Sequence, residues 1–164
     1  MQSQQFVRRT RIAASPEELF AWHAAPGALQ RLTPPWEPVE VEKEGRIENG
    51  AETVLRIRVG PFALRWVARI FDCIPGRGFR DVQVRGPFAS WQHTHRMEPD
   101  GASASWLEDR IEYVLPFGWM GRWLGGWLVR RRLDRMFDHR HRITREAFAE
   151  DQPRVAPTFA VSRP

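Results

Sequence analysis

Residues 91–97 read WQHTHRM, and the fold turns on how this stretch is read. As a strand it places Trp91, His93, His95 and Met97 on one face and Gln92, Thr94 and Arg96 on the other, because side chains alternate across a pleat. The first face sets two imidazoles among large apolar groups. Turn signals bound the stretch on both sides, Gly86-Pro87 before it and Pro99-Asp100-Gly101 after it. The same punctuation recurs upstream at Glu48-Asn49-Gly50, Gly60-Pro61 and Pro75-Gly76-Arg77-Gly78. Six strands fit between these signals, near 38–47, 52–59, 63–74, 79–85, 90–98 and 104–115. Spacing this tight leaves no room for crossover helices, so neighbouring strands are expected to pair antiparallel as a meander.

The flanks of this region have a different texture. A short β-compatible run, Phe6 to Ile12, precedes Ser15-Pro16-Glu17-Glu18, in which Ser15 can cap a helix, Pro16 suits its first position and Glu18 completes a capping box. Leu19, Phe20 and Trp22 give that helix an apolar side. Pro26-Gly27 interrupts it, Ala28 to Leu32 adds a further turn, and Pro34-Pro35 ends the helical region. After Pro116-Phe117-Gly118 the period changes. Met120, Trp123, Leu124, Trp127 and Leu128, then Leu133, Met136 and Phe137, recur at three and four residues, which predicts one long amphipathic helix to about Phe148. Gly121, Gly125 and Gly126 weaken its first half and leave little bulk there. Residues 1–149 are read as a single domain and 150–164, with three prolines and little pattern, as a flexible tail.

Composition narrows the function classes. A chain of 164 residues is long enough for one core without staples. Cys73 is the single cysteine, which excludes an internal disulfide or a cysteine-rich zinc site. No signal-peptide core and no long apolar run is present, so a soluble cytoplasmic protein is expected. The formal charge is +5 and Lys43 is the only lysine. Arginine supplies the rest, and residues 119–149 hold eight arginines against Asp134, Asp138 and Glu146. No nucleic-acid motif accompanies that charge.

The capped stretch SPEELFAWHAAPGALQRLTPP, the strand region GPFASWQHTHRMEPDG, and LEDRIEYVLPFG leading into the last helix together resemble the START/Bet v1-like superfamily, and within it the bacterial cyclase/dehydrase-like SRPBCC proteins. The likeness covers about residues 4–149. It implies an α+β helix-grip fold, a seven-stranded curved antiparallel sheet wrapped around the C-terminal helix and enclosing a cavity for an apolar molecule. Members of the superfamily bind, transport or convert their ligands, so the fold alone does not choose a reaction.

Strand parity then marks the candidate site. Asp109, Ile111, Tyr113 and Leu115 share one face, and where it coincides with the His93 and His95 face, Asp109 stands opposite or diagonal to a histidine. Such a pair can satisfy itself in a core, orient a ligand's polar group, or move a proton. In the binding reading Trp66, Trp91, Ile111, Tyr113, Leu124, Trp127 and Leu128 supply the wall, and His93, His95 and Asp109 the polar contacts. His93, His95 and Asp109 also form a possible two-histidine, one-carboxylate metal set. Nothing near them in sequence extends that set, and neither a metal nor another cofactor is expected. His139 and His141 point to different sides of the last helix and are not expected to chelate together; His139 is read as a surface residue and His23 as a partner for the last carbonyls of the first helix. Cys73 is read as an inert core thiol.

The expected function is therefore binding of a small hydrophobic or amphipathic molecule, lipid-like or polyketide-like, in an internal cavity. One alternative is a cyclase, dehydratase or isomerase using the His-Asp pair. Another is a membrane-surface or regulatory module acting through the basic C-terminal helix, whose Trp, Leu and Arg pattern also suits an anionic lipid surface.

Overall fold

The computed structural model describes residues 3–59, 61–116 and 118–149, with the side chains of Val59, 118–122 and Leu124 left undescribed. The tail read at 150–164 lies outside the described residues. The chain runs β1 (Gln4–Ile12), α1 (Pro16–Ala24), α2 (Ala28–Leu32), β2 (Val39–Lys43), β3 (Glu52–Val59), β4 (Phe62–Ile74), β5 (Gly78–Arg85), β6 (Ser90–Pro99), β7 (Ser105–Val114) and α3 (Gly118–Ala149). All seven strands form one antiparallel sheet in the order β1-β7-β6-β5-β4-β3-β2. The meander is complete, and β1 closes onto its last strand. With α1, α2 and α3 against it, this is the helix-grip architecture.

Local chemistry accounts for the helix boundaries. The Ser15 hydroxyl accepts from the Glu18 amide at 3.3 Å, and the Glu18 carboxylate accepts from the Ser15 amide at 2.8 Å. That reciprocal cap satisfies two donors that the first turn would otherwise leave bare. Gly27, at φ 75°, reverses the chain between α1 and α2. The Glu44 carboxylate then accepts from the amides of Gly27 and Leu29 and ties α2 to the segment after β2.

β2 is shorter than the expected 38–47. It slips register between Val41 and Lys43, and by Gly45 the chain has left the ladder, its amide donating to the Thr53 hydroxyl instead. The remaining strands lie within two residues of their sequence-predicted bounds.

The interior has two apolar layers. In one, Leu19 and Phe20 of α1 pack on Ile12, Ile70, Phe79, Met97 and Leu107. In the other, Leu133 and Phe137 of α3 pack on Phe6, Trp91, Ile111, Tyr113 and Leu115. Each fully buried side chain of this size contributes roughly 2–3 kcal/mol. Between the layers, midway along β6 and β7, the sequence puts histidine and aspartate.

Candidate functional site

Register brings the polar layer together. His95 pairs with Asp109 and His93 with Ile111 across β6 and β7, so Asp109 is opposite one imidazole and diagonal to the other. On the other side of β6, Asp81 of β5 pairs with His93. The two rings lie side by side with centroids 3.8 Å apart, and a carboxylate stands at each edge of the pair. His93 Nε2 donates to Asp109 Oδ1 at 2.9 Å, and His93 Nδ1 lies 3.2 Å from Asp81 Oδ2. His95 Nε2 lies 3.4 Å from that same Asp81 oxygen. His95 Nδ1 is 2.7 Å from Asp109 Oδ1, but its N–H does not point along that line and the atom lacks an aligned hydrogen bond.

α3 completes the network from above. His141 Nε2 donates to Asp109 Oδ2 at 2.7 Å, and its Nδ1 faces the Thr10 hydroxyl of β1 at 2.8 Å. Helical geometry puts His141 one turn beyond Phe137 and two beyond Leu133 on the buried arc. His23 of α1 approaches from the other layer, its ring centroid 6.5 Å from that of His95. Arg140, also on α3, has a buried Nε without a partner.

Burial and charge oppose each other throughout this cluster. Burial alone would push the His93 imidazole down, yet the Asp81 charge and the hydrogen bonds to Asp109 and Asp81 raise it to about 9. Burial would likewise raise both carboxyls. For Asp109 the His95 charge and the bonds from His141 and His93 outweigh it, and for Asp81 the His93 charge and the bonds from both histidines do so, leaving both acids well below the usual carboxylate range. His23 has no carboxylate within bonding reach. Burial lowers it to about 4 despite its bond to the Leu19 carbonyl, so it is neutral and holds that carbonyl through a neutral ring.

Other expected residues are placed as follows. Trp66, Trp91 and Tyr113 form an aromatic wall with Phe88. Trp66 meets Trp91 edge-on at 5.0 Å, and Phe88 meets Trp91 and Tyr113 at 4.8 and 5.7 Å. Ile111 is fully buried beneath it. Trp127 and Leu128 are not part of this wall. They are 70% and 61% exposed, as is Trp123 at 81%. The inward arc of α3 at that level is instead Gly126, which is buried, and Val129, which packs on the wall. Leu124 lies outside the described side chains. His139 is buried against Trp36, with ring centroids 5.2 Å apart, and is not a surface residue. Burial raises the Cys73 thiol pKa, and its Sγ lies 3.4 Å from the Ile47 carbonyl.

Asp81, His141, Thr10 and His23 were not picked out as members of the site. Two of them had a faint signal. Asp81 shares strand parity with Phe79 in a hairpin that abuts β6, and His141 follows Phe137 by four residues. Thr10 and His141 also border an open cleft of about 450 Å³ whose lining includes Arg8, Arg135, Arg142 and Arg145. The Arg8 guanidinium pairs there with Asp138.

Comparison with known proteins agrees with the fold. Residues 12–138 match the family described as polyketide cyclase / dehydrase and lipid transport. The chain belongs to this family. Its fold is similar to that of the Zhui aromatase/cyclase from Streptomyces sp. R1128, with a TM-score of 0.71 and 15% identity over 91% of this chain and 95% of the other. It is also similar to a START superfamily protein from Mycobacterium smegmatis, with a TM-score of 0.63 and 10% identity over 89% and 97% of the two chains. A nucleoside-diphosphate sugar epimerase from Corynebacterium glutamicum is 27% identical over 65% of this chain, with a TM-score of 0.56, and the match spans 24% of that longer protein. No curated protein matches the sequence.

Proposed function

We propose that the protein binds a small hydrophobic or amphipathic molecule between the curved sheet and α3. The apolar part would lie against Trp66, Phe88, Trp91 and Tyr113, and the polar group would turn toward His93, His95 and Asp109. One observation carries this reading. An aromatic wall and a buried layer of imidazoles and carboxylates are consecutive on the same strands, while the helix facing the wall presents glycine at position 126 where a core helix would present a large side chain. A mostly apolar surface ending in a few convergent polar groups is the usual form of a small-molecule site.

Native mass spectrometry of gently purified protein should show a co-purified small molecule, and an apolar fluorescent probe should bind and quench tryptophan emission. Gly126→Leu fills the facing space, and it should abolish probe binding with little loss of stability. Closed packing at that level predicts the opposite. The variant would then be destabilised by about 1–3 kcal/mol and the wild type would not bind the probe.

A second reading rests on a separate observation. Trp123, Trp127 and Leu128 are exposed together beside Arg130 and Arg131, and the Arg131 guanidinium lies over the Trp127 ring at 5.4 Å. Among the described residues no helix is long and apolar enough to cross a membrane, but this half of α3 has the chemistry to lie on one. Salt-sensitive binding to vesicles containing anionic lipid, lost in Trp123→Ala/Trp127→Ala, would support this reading. Absence of binding at low salt would remove it.

A further inference from the structure

We infer that Asp81, His93 and His95 form a binding site for a divalent transition metal ion of the zinc type. Asp109 would serve as the carboxylate that orients the two ligand histidines.

The geometry carries the inference. One ligand atom from each of Asp81, His93 and His95 lies within 4.8 Å of the others. His93 Nδ1 and His95 Nε2 converge on a single oxygen of Asp81, at 3.2 and 3.4 Å. Nitrogen and oxygen ligands held about 2.0–2.1 Å from a tetrahedral ion are separated by about 3.3 Å along each edge. Two of the three edges match that separation, and the third, between the two ring nitrogens, is no more than 4.8 Å.

The opposite edges of the rings have the complementary arrangement. His93 Nε2 and His95 Nδ1 both face Asp109 Oδ1, at 2.9 and 2.7 Å. Metal-bound histidine typically gives its other N–H to a carboxylate, which sets the ring's orientation and raises its basicity. Asp109 is itself held by His141 through its second oxygen, so the supporting shell is anchored to α3.

Charge balance points the same way. Two buried carboxylates stand beside two closely spaced, tilted imidazoles, with the buried Arg140 guanidinium in their field. A divalent ion with neutral rings adds positive charge there without placing two imidazolium cations at 3.8 Å. The Asp81 and His95 side chains keep 19% and 12% of their surface, against 5% for His93, so the three-ligand set is not sealed. Water or another oxygen donor would take the fourth position, the usual form of a metal site that meets small molecules.

The full chain, free of any affinity tag and stripped with chelator, should bind one equivalent of Co²⁺ with the intense visible absorption of a four- or five-coordinate ion. Zn²⁺ should displace it. Asp81→Asn and His93→Ala should abolish the visible band, and Asp109→Asn should retain it with affinity lowered roughly 10- to 100-fold. Cys73→Ser should leave binding unchanged and its spectrum should lack thiolate charge transfer. Asp81→Asn is the decisive variant should His93→Ala fail to fold, because it changes one atom on the most exposed ligand. Folded wild-type protein that takes up no Co²⁺, a weak six-coordinate spectrum, or binding that survives Asp81→Asn would overturn the assignment.

Discussion

Removing the Asp109 carboxylate strands three imidazoles at once, since His93, His95 and His141 all meet its oxygens. Asp109→Ala leaves buried donors and a buried cation without a counterion, and urea unfolding in chelator should show a loss of about 3–5 kcal/mol. Asp81→Ala should cost clearly less, because Asp81 meets two rings and keeps some contact with water. His23 sets a second expectation, through pH. Its folded pKa lies near 4 against an ordinary 6.5, so between those values the unfolded chain holds a proton that the folded one refuses. Stability therefore falls as pH drops through this window, by up to about 3 kcal/mol. His95, Asp109 and His141 are the ionisable neighbours that act on it. In chelator, His23→Gln should flatten the limb of the stability profile between pH 6.5 and 4, and an unchanged slope would show that another group governs it.

At the level of elements, the β5–β6 hairpin depends on one glycine. Gly78 sits at φ 144°, and a Cβ there would fall 2.0 Å from the His95 carbonyl oxygen. Gly78→Ala should therefore cost at least about 2 kcal/mol through forced backbone strain, and denaturant titration should show it. It should also displace His95, so Co²⁺ affinity should fall with stability. Turn chemistry of this kind is local, which is why the hairpins at Gly76, Gly78 and Gly101 could be read from the chain. The same holds for the capped start at Ser15. The inward face of α3 was harder to read. Trp127 and Leu128 are large and apolar and look like core, whereas Gly125 and Gly126 look like defects in a helix. Which arc turns inward depends on where Leu133, Phe137 and His141 dock. For the site, parity placed His93, His95 and Asp109 on one face correctly. Asp81 and His141 stayed hidden because their roles come from sheet register and helix docking, neither of which is a property of nearby sequence.

Across the whole molecule, the polar layer joins Thr10 of β1, Asp81 of β5, the histidines of β6, Asp109 of β7 and His141 of α3. Both apolar layers rest against it. The sheet and the second half of α3 should therefore open as one cooperative unit, while the stretch around Gly125 to Leu128, with exposed side chains and glycines, should open more readily. Amide exchange should show this as strong protection near Phe137 and His141 and weaker protection at 125–128. Uniform protection along α3 would refute it. The hydrogen bond between His141 and Asp109 thus does for the tertiary structure what a ladder bond does for the sheet: it fixes the register of α3 on the strands beneath it.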